Sequence, residues 1–361
     1  QSQHMKCTLT AIIVALLSLA VVMLFPGTCS SPYDARLQHI DSLSLFDSLH
    51  LYDDDKASRM RLLMLKAKAQ NKLYLPMPSD TIFNEVVSYY DRHGSANDRM
   101  LSRYLLGCIY RDQEKYLQTI LAYQDAICFA DTTETGCDYY LLSCIYSQMG
   151  RIYASCNLPS YARESYNKSI WYSIKSEHIR EAIIDIEALA YIDYIVGDTL
   201  DALKHALETE KLYRKHGFIK ESFSVYPIFI YSYLCRGQYE QAYRLMKKYR
   251  LHSGNFDAEG NLKPGREHYY KALGQYFLGI SRNDSAEYYF RKLWKCGFYY
   301  EAARGLCDLF TKIGKHDSVR TYSAICESEV DSIVKTTRNN PVVQSSGICD
   351  FGRIQRLLDE K

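Results

Sequence analysis

Between residues 97 and 335, apolar side chains return every three or four positions in paired stretches, the period of an amphipathic helix, with small and aromatic residues at repeating places. The first pair holds Leu106-Gly107, Tyr110, Tyr116, Tyr123 and Ala126; the second holds Met149-Gly150, Tyr153, Ala162 and Tyr166. Leu189-Ala190, Tyr194, Gly197-Asp198 and Ala202 mark a third, and Tyr226, Tyr233, Gly237, Tyr239 and Ala242 a fourth. Tyr270, Leu273-Gly274, Phe277, Ala286 and Phe290 make a fifth, and Leu306-Cys307, Phe310, Gly314 and Val319 a weaker sixth. The small residue of the first helix falls at 107, 150, 190, 274 and 307, with Ile230 in its place in the fourth copy, at intervals of 43, 40, 40, 44 and 33. The pattern predicts an all-α solenoid of about six to seven helical hairpins.

Close packing explains the residue types. A Gly or Ala where the first helix of a hairpin (helix A) crosses the second (helix B) lets two backbones approach, and Ala202, Ala242 and Ala286 do the same from helix B. Tyr and Phe rings farther along fill the gap to the next hairpin. No hairpin buries its apolar face alone, so stacking supplies the core. Two loops interrupt the array, 131–136 and 253–265. Upstream, Ala57 to Asn71 reads as a helix, Asp80 to His93 as its partner with Gly94 as C-cap, and Asp41 to Leu51 as one more. Residues 30–95 are thus expected to form a divergent capping region and 96–335 the array. The segment 336–361 is expected to be a polar tail with a short helix near its end.

Leu106-Gly107-x-x-Tyr110, followed by Tyr123 and Ala126, has the spacing of a tetratricopeptide repeat. The chain resembles the envelope tetratricopeptide proteins of Gram-negative anaerobic bacteria over about residues 6–335, in particular at Tyr90-Asp91-Arg92-His93-Gly94-Ser95 and Ala122-Tyr123-Gln124-Asp125-Ala126. The resemblance implies a right-handed superhelix with a concave groove and a sensor-like periplasmic module. In many relatives a transmembrane helix and a cytoplasmic part follow. No second long apolar segment occurs here, so the chain is expected to be a short form without that output.

Gln1–His4 precede Met5 and are set aside. Lys6, an uncharged run from Leu9 to Phe25, and Pro26-Gly27 before small residues follow the order of an export signal. Three outcomes fit residues 5–29: a cleaved signal peptide, a lipoprotein signal with acylation at Cys29, or an uncleaved anchor. All three deliver the body of the chain to the periplasm or the cell envelope.

Composition narrows the chemistry. Lys and Arg number 44 against 42 Asp and Glu, a formal charge of +2, which offers no basic stripe for nucleic acid. No phosphate-cradling Gly loop, HExxH or nucleophile elbow appears, and the ten His lack ligand spacing. No catalytic residue, cofactor or metal is expected. Tyr is abundant, 33 against 13 Phe and 2 Trp; its ring packs while its hydroxyl reaches a polar partner. Of the twelve Cys, Cys128 and Cys137 bracket the first loop and are the candidate disulfide; the helical Cys read as small core residues. Asp80-Thr81, Asp198-Thr199, Asp284-Ser285 and Asp317-Ser318 read as helix N-caps.

Transferring the tetratricopeptide register, residue by residue, lines the groove with Tyr104, Arg111, Asp112, Ser147, Arg151, Glu187, Tyr191, Tyr194, Tyr231, Lys271, Gln275, Arg304 and Asp308. Aromatic and Arg side chains are the usual interface anchors. Tyr191, Tyr194 and Tyr231 equally suit packing on the adjacent hairpin. Position 147 is Ser and 151 is Arg, so the Lys/Asn carboxylate clamp of chaperone-binding relatives is absent. The expected function is non-catalytic binding of a peptide or protein partner, with a periplasmic ligand-sensing domain as the alternative.

Overall fold

The computed structural model of the chain describes residues 55–133, 136–263 and 265–343. The apolar run 9–25, Cys29, the helix expected at 41–51 and the tail 344–361 lie outside the described residues. The chain divides into two compact units, Gln1–Pro78 and Ser79–Lys361.

The first unit contributes α1 (Lys56–Leu73). The Asp55 carboxylate accepts the Ser58 N–H at its start, and Tyr74 closes it in the left-handed region at φ 55°. The second unit begins with α2 (Asp80–His93), which ends at Gly94 as the sequence predicts. Six antiparallel pairs follow: α3 (Ala96–Asp112) with α4 (Tyr116–Cys128), α5 (Tyr139–Ser155) with α6 (Pro159–Lys175), and α7 (Ile179–Val196) with α8 (Thr199–Lys215). Then come α9 (Tyr226–Cys235) with α10 (Tyr239–His252), α11 (Tyr270–Gly279) with α12 (Asn283–Lys295), and α13 (Tyr299–Lys312) with α14 (His316–Asn339). Among the described residues the only extended pairing is an isolated bridge, Phe256 with Leu262.

Each A-to-B turn is built the same way. Glu114, Asn157, Gly197, Gly237, Ser281 and Gly314 all have positive φ, and each lies seven residues beyond the small-residue position (107 to 114, 150 to 157, and so on). The next residue's N–H returns to a carbonyl of helix A: Lys115 to Tyr110, Leu158 to Tyr153, Asp198 to Asp193, Gln238 to Tyr233, Arg282 to Phe277 and Lys315 to Phe310, all at 2.9 Å. These bonds satisfy helix-end carbonyls that would otherwise lack a partner.

At the crossings, side-chain sizes compensate across each hairpin. A Cβ on Gly150 would lie 2.8 Å from Tyr166 Cε1, and one on Gly274 would lie 2.5 Å from Phe290 Cε1, so each ring occupies the space its glycine leaves. Tyr123 fills the corresponding space over Gly107. In the third hairpin Ala190 faces a helix whose equivalent position is Ala206, in the fourth Ile230 is matched by Met246, and all four are buried. Phe290 also presses on Gly305 of the next A helix, so one ring locks two hairpins. In the last hairpin Cys307 holds the small-residue position: its thiol meets Ser323 Oγ of helix B at 3.3 Å, while Gly305 faces the preceding hairpin.

Three further details depart from the sequence reading. Asp198 caps its helix by accepting the Asp201 N–H, but Asp80, Asp284 and Asp317 sit inside the first turns of α2, α12 and α14. There they complement the positive end of the helix dipole instead of capping it. Residues 253–265 do more than separate two repeats. Asp257 N–H bonds to the Asn261 carbonyl and Lys263 N–H to that of Asn255, and Phe256 and Leu262 pack against the core around Tyr249 and Tyr269. Helix α14 passes residue 335 by four positions. Its later half is largely exposed, yet Val342 beyond it is buried and Asn340 bonds Cys156 in the second hairpin.

Candidate functional site

The A-helix positions separate into two groups. Tyr194 on α7 stacks on Tyr231 of α9, ring centroids 5.5 Å apart and 21° from parallel. The Tyr231 hydroxyl donates to the His268 carbonyl at 3.2 Å, and Lys271 Nζ of α11 lies 5.7 Å from the Tyr231 ring centroid. His268 Nε2 is 3.9 Å from Glu301 of α13. Burial lowers the Lys271 pKa, with the Glu301 carboxylate pulling the other way and Arg304 reinforcing the drop. Burial, and then the Lys271 charge, also lowers the His268 pKa. Four successive A helices thus bring Tyr194, Tyr231, Lys271, Glu301 and Arg304 into one strip. Gln275, one turn on from Lys271, has a buried Oε1 with no hydrogen-bond partner among the described residues. Asp308, exposed at the far end, has a raised pKa from burial, opposed by Arg304.

The other predicted residues, Arg151 apart, are engaged within the fold. Tyr104 is buried and stacks on Tyr123 at 5.7 Å, so its ring belongs to the α3–α4 core; this corrects its assignment to a groove wall. Its position faces helix B because Gly107, one turn later, draws the two helices together. Arg111 pairs with its neighbour Asp112 at 2.7 Å. The Ser147 hydroxyl donates to Asp185, the Tyr191 hydroxyl to the Ser224 carbonyl, and Glu187 accepts from Tyr213, each at 2.8 Å. Arg151 is exposed. Tyr191, Tyr194 and Tyr231 therefore do pack on the adjacent hairpin, and Tyr231 is only 3% exposed.

Cys128 and Cys137 are free thiols, which corrects the disulfide expected between them. Hydrogen bonds close that loop instead. Asn97 Nδ2 donates to the Gly136 carbonyl at 2.7 Å, its Oδ1 accepts the Asp138 N–H, and Tyr139 donates to the Thr132 carbonyl.

Two buried carboxylates escaped the sequence reading, because an acid inside a helical pattern reads as a solvated face. Asp185 is 2% exposed and accepts from Ser147 and Ser169. Burial pushes its pKa up to about 6, against the two hydroxyls and the Arg151 charge. Asp193 is 1% exposed and held by Arg163 at 2.6 Å and His205 at 2.5 Å. Both lie on α7 and tie it to the preceding and following B helices. The one sequence signal was their period: they fall eight apart on the face that carries Leu189 and Ala190. Among the described residues no three His, Cys, Asp or Glu side chains converge as metal ligands.

No family model and no curated protein matches the chain. Among solved structures, the Rap conjugation gene regulator of plasmid pLS20, in complex with a Phr peptide, superposes with a TM-score of 0.50 at 14% identity, over 91% of this chain and 98% of that one. A Rap protein complexed with Competence and Sporulation Factor gives 0.47 at 12% identity, over 84% and 98%. A tetratricopeptide repeat protein from Parabacteroides merdae gives 0.44 at 12%, over 73% and 91%. At such identities the likeness concerns the fold. The chain has a tetratricopeptide-like helical-repeat fold.

Proposed function

We propose that the protein is a non-catalytic scaffold that binds a peptide, or a segment of a partner protein, along the A-helix face. The observation that carries this reading is the strip of accessible Tyr194, Lys271 and Arg304 from α7, α11 and α13, laid over the buried Tyr231 of α9. Tyr231 is the buried floor of the strip: its hydroxyl donates to the His268 carbonyl and its ring holds the half-buried Tyr194 in place, leaving Tyr194, Lys271 and Arg304 to make contact. A contact surface fixed in this way loses little side-chain entropy on binding. Its Lys and Arg, beside Glu301 and Asp308, offer charge-assisted contacts to both ends of a bound segment. The peptide complex of the Rap regulator supports the reading at the level of the fold.

The test is selection of peptides from a displayed library by wild type and by a Lys271→Glu/Arg304→Glu variant, with thermal melting to check the fold. The expected result is that the peptides enriched by wild type are lost by the variant. The same peptides enriched by both would reject the strip as the site.

We also propose that the protein is exported and lives in the periplasm or tethered to the cell envelope, on the strength of Lys6, the apolar run 9–25 and Cys29. Mass spectrometry of the mature amino terminus from a native-like host separates the outcomes. Acyl chains on Cys29 mean a lipoprotein, cleavage without lipid a released product, and an intact Met5 an anchor.

A further inference from the structure

A second site lies away from the strip, on α6. Glu164, Asn167, Lys168, Trp171, Tyr172 and Lys175 share one face of this helix, and with Tyr146 of α5 the first five line a cleft of about 340 Å³. That volume is at the small end of the range for ligand sites. The rings form a corner. Tyr146 and Tyr172 stack 7° from parallel at 5.7 Å, Tyr139 continues the stack at 6.0 Å, and Trp171 stands 80° to Tyr172 at 4.7 Å. Trp171, one of two Trp in the chain, is 56% exposed.

The chemistry of the lining selects the ligand. An open indole face asks for an apolar surface, yet a carboxylate, an amide and an ammonium sit within two helical turns of it. A molecule with one apolar face and a hydroxylated rim fits both demands. A pyranose ring is such a molecule: its axial C–H bonds are positively polarised and meet the negative face of an aromatic ring, while its rim hydroxyls suit Asn167 and Glu164. An extended peptide needs a longer groove than this corner.

Charge narrows the choice further. Lys168 is already paired with Glu164 at 2.8 Å. Lys175 rests its Nζ 3.9 Å from the Tyr139 centroid and 4.9 Å from that of Trp171, and it forms no ion pair with a carboxylate among the described residues. We propose that this corner binds an acidic sugar, a uronic-acid-bearing oligosaccharide whose ring stacks on Trp171 and whose carboxylate pairs with Lys175. The site uses none of the strip residues, so it stands or falls separately from the peptide reading.

The experiment uses the full chain carrying Trp294→Phe, which leaves Trp171 as the only indole. Tri-galacturonate, cellotriose and a tri-glutamate peptide are titrated in turn while Trp emission is followed. The expected result is a saturable change with tri-galacturonate, weakened about tenfold by Lys175→Met through loss of one charge-assisted contact, and no saturation with the other two. Calorimetry with Trp171→Ala is expected to show no binding, at an unchanged melting temperature because the side chain is exposed. No saturation with tri-galacturonate, an unaltered affinity in Lys175→Met or Trp171→Ala, or equal binding of cellotriose or tri-glutamate would each overturn the assignment.

Discussion

Asn340 donates a hydrogen bond from Nδ2 to Cys156 Sγ at 3.4 Å, across 184 positions of sequence. Cys156 caps α5 at the turn of the second hairpin, and Val342, 1% exposed, seats itself just beyond the bond. The end of the sixth hairpin thus touches the second, and the largely bare later half of α14, with Val330, Ile333 and Val334 exposed, spans between them.

This contact gives the first prediction. Val342→Ala removes buried methyl groups, at a cost of about 2 kcal/mol, and is expected to release the segment before the array melts. Burial raises the Cys156 pKa, so alkylation of this thiol should be slow in wild type and faster in the variant. The exposed Cys128 and Cys235 serve as internal controls. Equal Cys156 rates would mean the contact does not protect it.

The compensation of sizes at the crossings gives the second. Gly150→Ala places a methyl 2.8 Å from the Tyr166 ring, an overpacking that costs about 1–3 kcal/mol. Adding Tyr166→Leu should recover part of that loss, so the two substitutions are expected to be non-additive in denaturant unfolding. Strict additivity would contradict the pairing.

Asp185 gives the third, through pH. Its folded-state pKa, about 6, lies above the ordinary carboxylate value of 3.8. The protonated acid is therefore the form the fold prefers. The stability this provides is complete below about pH 4 and is lost as pH rises through 6. Asp185→Asn has no such titration. The stability of wild type minus that of the variant should fall by about 2 kcal/mol between pH 4 and pH 7, measured by urea unfolding at each pH. A flat difference would show that the carboxyl does not titrate in this range.

The fourth concerns the repeated turn. Glu114 occupies the left-handed region at φ 58°, where Gly197 occupies the equivalent turn at 88°. Glu114→Gly should therefore raise stability by up to about 1 kcal/mol, and Gly197→Ala should lower it by about the same amount. Thermal melting of both variants checks the signs.

The register was legible because two physical demands repeat with it: close approach at 107, 150 and 274, and a helix stop seven residues later. Gly197, Gly237 and Gly314 announced three of the stops; Glu114, Asn157 and Ser281 adopt the same backbone without the residue that signals it. The groove was less legible. A transferred register does not say which positions turn in toward their own helix B or which the next hairpin claims. Tyr104 and Ser147 were taken by Tyr123 and Asp185, while Lys271 and Arg304 kept accessible surface. The corner on α6 carried no signal in the sequence, because the exposure that distinguishes Trp171 is set by tertiary structure.

The central claim is that a bound segment lies along the A-helix strip. The direct measurement places a photo-crosslinking amino acid at position 271, or at the exposed helix-B position 247, and irradiates each protein with a library-selected peptide. The account predicts a covalent adduct from position 271 and none from 247. Adducts from 247 alone, or equally from both, would contradict it.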